Sequence, residues 1–148
     1  GLGASIGAKM GNPDKTVVNI AGDGSFHMNI NELLTLSKYN IPTIELVVNN
    51  EVLGMVRQWQ KLFYDKRFSN TTLKRTLDYV KLGEAVGVKA FVIEKRSEVE
   101  PILKEAIALS KSQPVLIECR INKDVNVLPM VPAGASVADP ILEMDDYN

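Results

Sequence analysis

The sequence lacks several features that define whole classes of protein. It has one cysteine among 148 residues, which excludes an internal disulfide and fits a reducing compartment. Its 17 Lys and Arg residues are balanced by 18 Asp and Glu residues, so it lacks the basic excess typical of nucleic-acid-binding proteins. No apolar run reaches the about 20 residues that cross a membrane as a helix. We therefore predict a cytoplasmic protein that binds neither nucleic acid nor membrane.

What is present is the composition of a folded globular protein. Apolar residues make up 45% of the chain and charged residues 24%, and a chain of this length can bury most of the apolar surface of one domain. A pattern of small residues from Gly1 to Gly11 predicts a helix that is already under way at the first residue. We therefore expect the chain to be a piece of a longer protein, truncated at its N-terminus.

Short apolar runs rich in β-branched residues alternate with segments of helical periodicity. The predicted strands are 16–21, 43–50, 88–94 and 115–121. The predicted helices include 52–63 and 78–86, and two more follow the capping-box spacings of Asn29 with Glu32 and of Ser97 with Glu100. This alternation predicts an α/β fold, a three-layer doubly wound parallel sheet. We expect the first strand to be buried on both faces.

The chain is predicted to divide near its C-terminal end. Residues 1–128 hold all the predicted strands and helices and are assigned to one α/β domain. Residues 129–148 begin with proline and small residues, which predicts an extended, mobile arm. The single cysteine, Cys119, lies in the predicted last strand and is interpreted as a buried structural thiol.

Polar residues follow two of the predicted strands at the points where they end. Asp23 stands between Gly22 and Gly24 after the first strand, and the pair Asn49-Asn50 ends the second. Because parallel strands joined by a helix end at the same edge of a sheet, we expect these side chains to converge there. Carboxylate and amide oxygens suit Mg²⁺ or Ca²⁺, and Mg²⁺ commonly completes its shell with substrate phosphates. The pattern predicts a metal-bound, phosphorylated ligand.

The neighbouring residues fit such a ligand. Gly22 and Gly24 permit close approach of the backbone, and Ser25 offers a hydroxyl and an N–H group to an anion. The alternative is a plain turn capped by Asp23, with Asn49-Asn50 in an exposed loop. The interval between the two motifs encloses one predicted helix and one predicted strand, which favours the ligand site.

Gly22-Asp23-Gly24 followed by Asn49-Asn50 resembles the thiamine diphosphate-binding motif. In that family, the Asp, the second Asn and a backbone carbonyl two residues later bind Mg²⁺, which holds the diphosphate. The resemblance implies metal ligation by Asp23, Asn50 and the carbonyl of Val52. It implies further cofactor contacts from Gly22, Gly24, Ser25, Gly54 and Met55.

Two longer segments indicate which thiamine diphosphate enzymes the chain resembles most. NNEVLGMVRQWQKLFY (49–64) is similar to acetohydroxyacid synthases (acetolactate synthases), and VLPMVPAGAS (127–136) is similar to the C-terminal arm of their catalytic subunits. The resemblance covers essentially the whole chain and implies the diphosphate-binding domain of the large subunit. These transferases decarboxylate pyruvate and condense the hydroxyethyl unit with pyruvate or 2-oxobutyrate, in the biosynthesis of branched-chain amino acids.

The helix after the metal motif carries a second set of candidate residues. Met55, Val56 and Trp59 share one face of it, which by pattern alone favours packing within the domain. In the enzymes that the chain resembles, these positions line the substrate channel. Arg57 and Gln58 are expected to point away from that face and to be solvated.

The resemblance also implies parts of the enzyme that this chain does not contain. A glutamate that acts on the cofactor belongs to another domain, supplied by a second subunit, and FAD binds mainly to the middle domain. The implied partners are the remaining domains, a second copy in a homodimer or tetramer, and a regulatory small subunit. His27 is interpreted as hydrogen-bonded and Glu51 as a neighbour of the metal site. No catalytic residue is assigned, and the chain alone is expected to be inactive.

The residues are also compatible with two other functions. One is another thiamine diphosphate enzyme, a pyruvate oxidase or a 2-oxo acid decarboxylase, which the metal motif fits equally well. The helix with Gln58-Trp59-Gln60 and the arm with Leu128-Pro129-Met130 favour the synthase. The other is a non-catalytic phosphate-binding module.

Overall fold

A computed structural model of the chain describes residues 1–74, 77–123 and 125–143. Four strands in this part of the chain form one parallel sheet, in the order β1-β2-β4-β3. The elements are α1 (Leu2–Gly11), β1 (Val18–Gly22), α2 (Asp23–His27), α3 (Glu32–Tyr39), β2 (Ile44–Asn49), α4 (Gly54–Phe63), α5 (Tyr79–Val86), β3 (Lys89–Ile93), α6 (Arg96–Leu109) and β4 (Val115–Arg120). The predicted α/β fold around a parallel sheet is confirmed.

The sheet lies between two apolar clusters. Leu116 of β4 packs in the cluster that contains Leu36 of α3 and Tyr79 of α5. Its neighbours in the strand, Val115 and Ile117, pack in the other cluster, with residues of α6. Because successive side chains of a strand point to opposite faces, helices cover both faces of the sheet and the predicted three layers are present.

The prediction that the first strand is buried on both faces is wrong. β1 pairs with β2 at the edge of the sheet, and its residues alternate between exposed and half-buried. Ile20, in the middle of the strand, is 71% exposed. An apolar run indicates that a strand forms. The burial of that strand also depends on its position in the sheet, which cannot be predicted from the run alone.

Two helix starts differ from the prediction. α3 begins at Glu32 after Asn31 rather than after Asn29, and its start has no side-chain cap. α6 begins two residues earlier than predicted, because the Glu98 carboxylate accepts N–H bonds from Glu94 at 2.9 Å and from Lys95 at 3.0 Å. A backbone turn from Asn29 to Glu32 precedes α3, whereas a side chain fixes the start of α6, and in both places more than one residue nearby has capping chemistry.

The boundaries of α5 follow the prediction closely. Asp78 precedes the helix, and its carboxylate accepts N–H bonds from Val80 and Lys81, both at 3.1 Å. Gly87 ends the helix with φ of 73°, a left-handed conformation that glycine adopts at low cost. These caps are local, so the sequence alone identifies them.

Contacts among the described residues divide the chain into two compact units. The first lies within Gly1–Glu51 and Lys74–Ile121 and contains the whole sheet; the second lies within Val52–Leu73 and the part from Asn122 onward, and contains α4. In the second unit, Met130 and Ile141 exchange backbone hydrogen bonds of 3.0 and 2.7 Å. The predicted boundary after residue 128 stays a prediction.

None of the described helices is long and apolar enough to cross a membrane.

Candidate functional site

The first unit brings the two predicted strand ends together. β1 and β2 are adjacent and parallel, and the last residue of β1, Gly22, lies opposite Val48. Asp23 follows Gly22 and Asn49 follows Val48, so both lie at the same edge of the sheet. The predicted convergence of the two strand ends is therefore present in the fold.

Asp23 is a buried carboxylate at this edge. It is the first residue of α2, a short helix that the sequence did not predict, and it is 3% exposed. Burial raises the pKa of Asp23 above its ordinary value. Hydrogen bonds from the backbone of Gly24 and Glu51, and the attraction of His27, oppose that rise and only partly offset it.

The two asparagines at the end of β2 have different surroundings. Asn49 is buried, and its Nδ2 donates a 2.7 Å hydrogen bond to Glu118 Oε1. Its Oδ1 accepts the N–H of Glu51 at 3.1 Å, and its backbone carbonyl accepts the N–H of Ile121 at 3.0 Å. Both ends of the Asn49 side chain therefore bind within the fold, one to Glu118 and one to the turn that contains Asn50, and Asn50 is the candidate ligand that the resemblance implies.

The donors at this edge fit a hard divalent cation. One carboxylate and one carboxamide supply oxygen atoms only, as Mg²⁺ prefers. A β-carbon built on Gly22 would meet no atom beyond its chain neighbours within 4 Å, so there is open space at Gly22, the residue before Asp23. In residues 1–74, 77–123 and 125–143, no group of three or more His, Cys, Asp and Glu side chains could hold a metal ion. One carboxylate and one carboxamide leave most of an octahedral shell unfilled, so these two donors suit a metal that also binds oxygens of a ligand.

The remaining predicted cofactor residues fall in both units. Ser25 is exposed and Gly24 half-buried, both in α2 of the first unit. Gly54 and Met55 begin α4 in the second unit. Val52, the predicted carbonyl ligand, also belongs to the second unit, where it is buried and pairs with Thr72.

One face of α4 carries the predicted substrate-channel residues. Val56 and Trp59 line a cavity of about 360 Å³ together with Gln60, Tyr64 and Arg67. The ring of Trp59 meets that of Phe63 edge to face, with centroids 5.4 Å apart. Met55 is 50% exposed and is not among the lining residues. Of the three, Val56 and Trp59 share a concave, partly aromatic surface.

The expectation that Arg57 and Gln58 are solvated is wrong for Gln58, which is buried, whereas Arg57 is half-buried. Gln58 is 3% exposed, and the guanidinium carbon of Arg57 lies 4.0 Å above the ring of Phe68. Both residues line a second cavity, of about 370 Å³, which is formed by Gly54, Arg57, Gln58, Lys61, Lys66, Phe68, Lys123, Val125 and Asn126. α4 is covered on this face by residues distant in sequence, which helical periodicity alone does not reveal.

His27 and Cys119 have structural surroundings. His27 Nε2 lies 3.0 Å from the hydroxyl of Tyr79, which confirms that the ring is hydrogen-bonded. Cys119 is half-buried rather than fully buried, and desolvation raises the pKa of its thiol. A raised pKa disfavours the nucleophilic thiolate, in agreement with a structural role.

Residues 1–119 match the family profile described as the thiamine pyrophosphate enzyme, C-terminal TPP binding domain. The match covers most of the chain, and the chain therefore belongs to this family of thiamine pyrophosphate (thiamine diphosphate) enzymes. Its relatives include acetolactate synthase subunits. It is 41% identical over 142 residues to the "Acetolactate synthase large subunit" of Pyropia yezoensis, covering 95% of this chain and 24% of that protein.

Two further relatives come from distant organisms. The chain is 43% identical over 145 residues to the "Acetolactate synthase catalytic subunit, mitochondrial" of Saccharomyces cerevisiae, covering 98% of this chain and 20% of the relative. It is 42% identical over 136 residues to the "Acetolactate synthase isozyme 2 large subunit" of Escherichia coli, covering 92% and 24%. The chain thus spans a quarter or less of the length of these relatives.

A solved structure shares the fold. The thiamine diphosphate-dependent 4-hydroxybenzoylformate decarboxylase of Rhodococcus jostii RHA1 superposes with a TM-score of 0.76 and 31% identity, covering 84% of this chain and 23% of that one. Family membership rests on the profile match. The superposition shows in addition that the decarboxylase, which depends on the same cofactor, contains a similar fold.

Proposed function

We propose that the chain is the part of an acetolactate synthase large subunit that binds Mg²⁺ and the diphosphate end of thiamine diphosphate. The observation that carries the proposal is the pairing of the buried Asp23 with the Asn49-Asn50 turn at the ends of adjacent parallel strands. The similarity to acetolactate synthase subunits along almost the whole chain supports the choice of enzyme.

In this proposal the metal is held by three oxygen donors of the chain. Asp23 supplies a carboxylate, Asn50 a carboxamide, and Val52 a backbone carbonyl. The residues around them, Gly22, Gly24, Ser25, Gly54 and Met55, contact the cofactor. When bound, thiamine diphosphate supplies the carbon nucleophile for the reaction, while the residues of this chain hold its charged end and fix its orientation.

The proposed reaction joins two 2-oxo acids. Pyruvate loses carbon dioxide, and the remaining two-carbon unit is transferred to the keto carbon of pyruvate or 2-oxobutyrate, giving 2-acetolactate or 2-aceto-2-hydroxybutyrate. The cavity beside Val56 and Trp59 is proposed to receive the acceptor, with Met55 near the channel. Its partly aromatic lining suits the alkyl end of a 2-oxo acid.

The rest of the enzyme lies outside this chain. We propose that the other domains of the large subunit, a second copy in a homodimer or tetramer, and a regulatory small subunit are the partners, and that FAD binds mainly to the middle domain. The cytoplasmic location stays a prediction, because the Saccharomyces cerevisiae relative carries the word mitochondrial in its name.

The test is product analysis with the full-length protein that contains this chain. The protein is incubated with pyruvate, Mg²⁺ and thiamine diphosphate, and acetolactate, acetaldehyde and acetate are measured together. The proposal expects acetolactate as the main product and its loss in EDTA. Acetaldehyde alone would indicate a decarboxylase, acetate an oxidase, and the absence of any thiamine diphosphate-dependent product would contradict the proposal.

A further inference from the structure

We propose that Glu118 is a positioning residue for the metal site, because it sets the orientation of the Asn49 side chain and thereby the conformation of the turn that carries Asn50. The inference rests on the proposed function, since it concerns the same metal site. Glu118 lies in β4, 69 residues from Asn49 in the sequence, and no sequence pattern assigned it a role.

Glu118 is a buried carboxyl group with defined partners. It is 1% exposed, and its Oε1 accepts the 2.7 Å hydrogen bond from Asn49 Nδ2. Its Oε2 lies 3.2 Å from both Nε and Nη2 of Arg120, and Arg120 also forms an ion pair with Glu94. Because a buried carboxylate needs an ion pair or hydrogen bonds to offset its lost hydration, Arg120 compensates one oxygen of Glu118 and the Asn49 amide compensates the other.

The chemistry of the carboxylate decides which way the Asn49 amide faces. An ionised carboxylate only accepts hydrogen bonds, whereas the Asn49 amide has a donating and an accepting end. Facing Glu118, the amide must turn its NH₂ group toward β4 and its oxygen toward the turn. That oxygen accepts the N–H of Glu51 at 3.1 Å. With the amide reversed, two donors would face each other at the turn.

The turn needs this support. Glu51 has φ of 60°, a left-handed conformation that is unfavourable for a residue with a side chain. Asn50 lies between Asn49, fixed by the sheet and by Glu118, and Glu51, fixed by the Asn49 oxygen. The backbone of Glu51 also lowers the pKa of the Asp23 carboxylate, so Glu51 lies close to the other proposed metal ligand. Hydrogen bonds therefore run from Glu118 through Asn49 to Glu51, on both sides of Asn50.

The test uses the full-length protein and two measurements. One is the calorimetric dissociation constant of Mg²⁺ in the presence of thiamine diphosphate. The other is hydrogen exchange at the Glu51 amide with metal and cofactor both absent. Glu118→Leu should weaken Mg²⁺ binding by about 10- to 100-fold, as the loss of a hydrogen-bonding partner of a metal-site residue commonly does. It should also accelerate exchange at Glu51.

A double-mutant cycle identifies the route of the effect. Asn49→Ala should weaken Mg²⁺ binding to a similar extent, and the double variant should bind no more weakly than the worse single variant, because both changes remove one interaction. Additive losses would mean that Glu118 acts by another route and would overturn the proposal. If Glu118→Leu does not fold, Glu118→Gln is the deciding variant. The glutamine side chain can present its NH₂ group, a donor, to Asn49, so exchange at the Glu51 amide should again be faster than in the wild type.

Glu45→Leu is the matched control. Glu45 is a second buried carboxylate, on β2, and its bonds run to Ser5, Asn19 and Thr43 rather than to the turn. This variant should lose stability yet bind Mg²⁺ within about twofold of the wild type. Equal losses of Mg²⁺ affinity in the Glu45 and Glu118 variants, or unchanged exchange at Glu51 in the latter, would overturn the inference. Absence of Mg²⁺ binding in the wild type would refute the proposed function instead, and exchange at Glu51 would still test the role of Glu118.

Discussion

Two glutamines of α4 each hold a separate segment of the second unit, and replacing one should loosen only its own segment. Gln58 forms a reciprocal pair with the backbone of Val127: Nε2 donates to the carbonyl at 2.9 Å and Oε1 accepts the N–H at 2.7 Å. Gln60 forms the same kind of pair with Ser69, at 3.0 and 3.2 Å. Gln58→Met keeps the length of the side chain and removes both bonds to Val127.

The size of the effect follows from the bonds lost. Each contributes about 0.5–1.5 kcal/mol, so the segment at Val127 should lose about 1–3 kcal/mol of local stability. Because about 1.4 kcal/mol corresponds to a tenfold change in an equilibrium, the Val127 amide should exchange about 5- to 150-fold faster. Val127 itself is exposed, so little apolar burial is lost and the hydrogen bonds dominate.

Hydrogen exchange resolved to single amides is the assay. Gln58→Met should accelerate exchange at Val127 and leave Ser69 unchanged, and Gln60→Met should do the reverse. The two variants are therefore controls for each other on the same helix. Equal acceleration at both amides in either variant, or no change at Val127 in Gln58→Met, would refute the reasoning, because it would mean that α4 responds as a whole or that the glutamine pair contributes nothing.

Three further predictions concern other parts of the chain. Trp59→Leu in the full-length protein should lower the preference for 2-oxobutyrate over pyruvate severalfold, since an aromatic contact contributes about 0.5–1.5 kcal/mol beyond its area, and an unaltered product ratio would assign Trp59 to packing alone. Burial raises the pKa of Glu45, so the stability it contributes is fully present below its ordinary pKa of 4.5 and is lost as the pH rises through the raised value. The urea unfolding free energy of the wild type minus that of Glu45→Gln should therefore fall with rising pH over that range, and a constant difference would contradict this. Finally, the 148-residue chain alone should form no acetolactate from pyruvate with Mg²⁺ and excess thiamine diphosphate, because loss of one proton-transferring group already costs about 10²–10⁴-fold, and clear turnover would place an acid or base within the chain.

Local chemistry made much of the fold predictable. The apolar, β-branched runs located all the strands of the described sheet within two residues, and Asp78 with Gly87 bounded α5 because both caps act on their own neighbours. The exposure of Ile20 was not predictable, because β1 lies at the edge of the sheet and strand order is a property of the whole fold. The short helix α2 was missed because its glycine-flanked sequence is also that of a turn.

The candidate site was predictable only in outline. Parallel topology brought the ends of β1 and β2 together, as the spacing of Asp23 and Asn50 indicated. The Asn49 side chain is bound by Glu118, which is 69 residues from Asn49. The burial of Gln58 depends on Val127, again 69 residues away. Contacts at such separations leave no local periodicity, and sequence reasoning therefore predicted candidate ligands but could not identify the distant residues that contact their neighbours.

The most direct test of the central claim is the affinity of the full-length protein for thiamine diphosphate with and without Mg²⁺, measured by calorimetry for the wild type and for Asp23→Ala. The wild type should bind the cofactor only with Mg²⁺, and Asp23→Ala should abolish this metal-dependent binding while its unfolding transition is preserved. Asp14→Ala, which removes an exposed carboxylate from the same unit, should bind like the wild type. Unchanged Mg²⁺-dependent affinity in Asp23→Ala would contradict the assignment of the strand ends as the metal and diphosphate site.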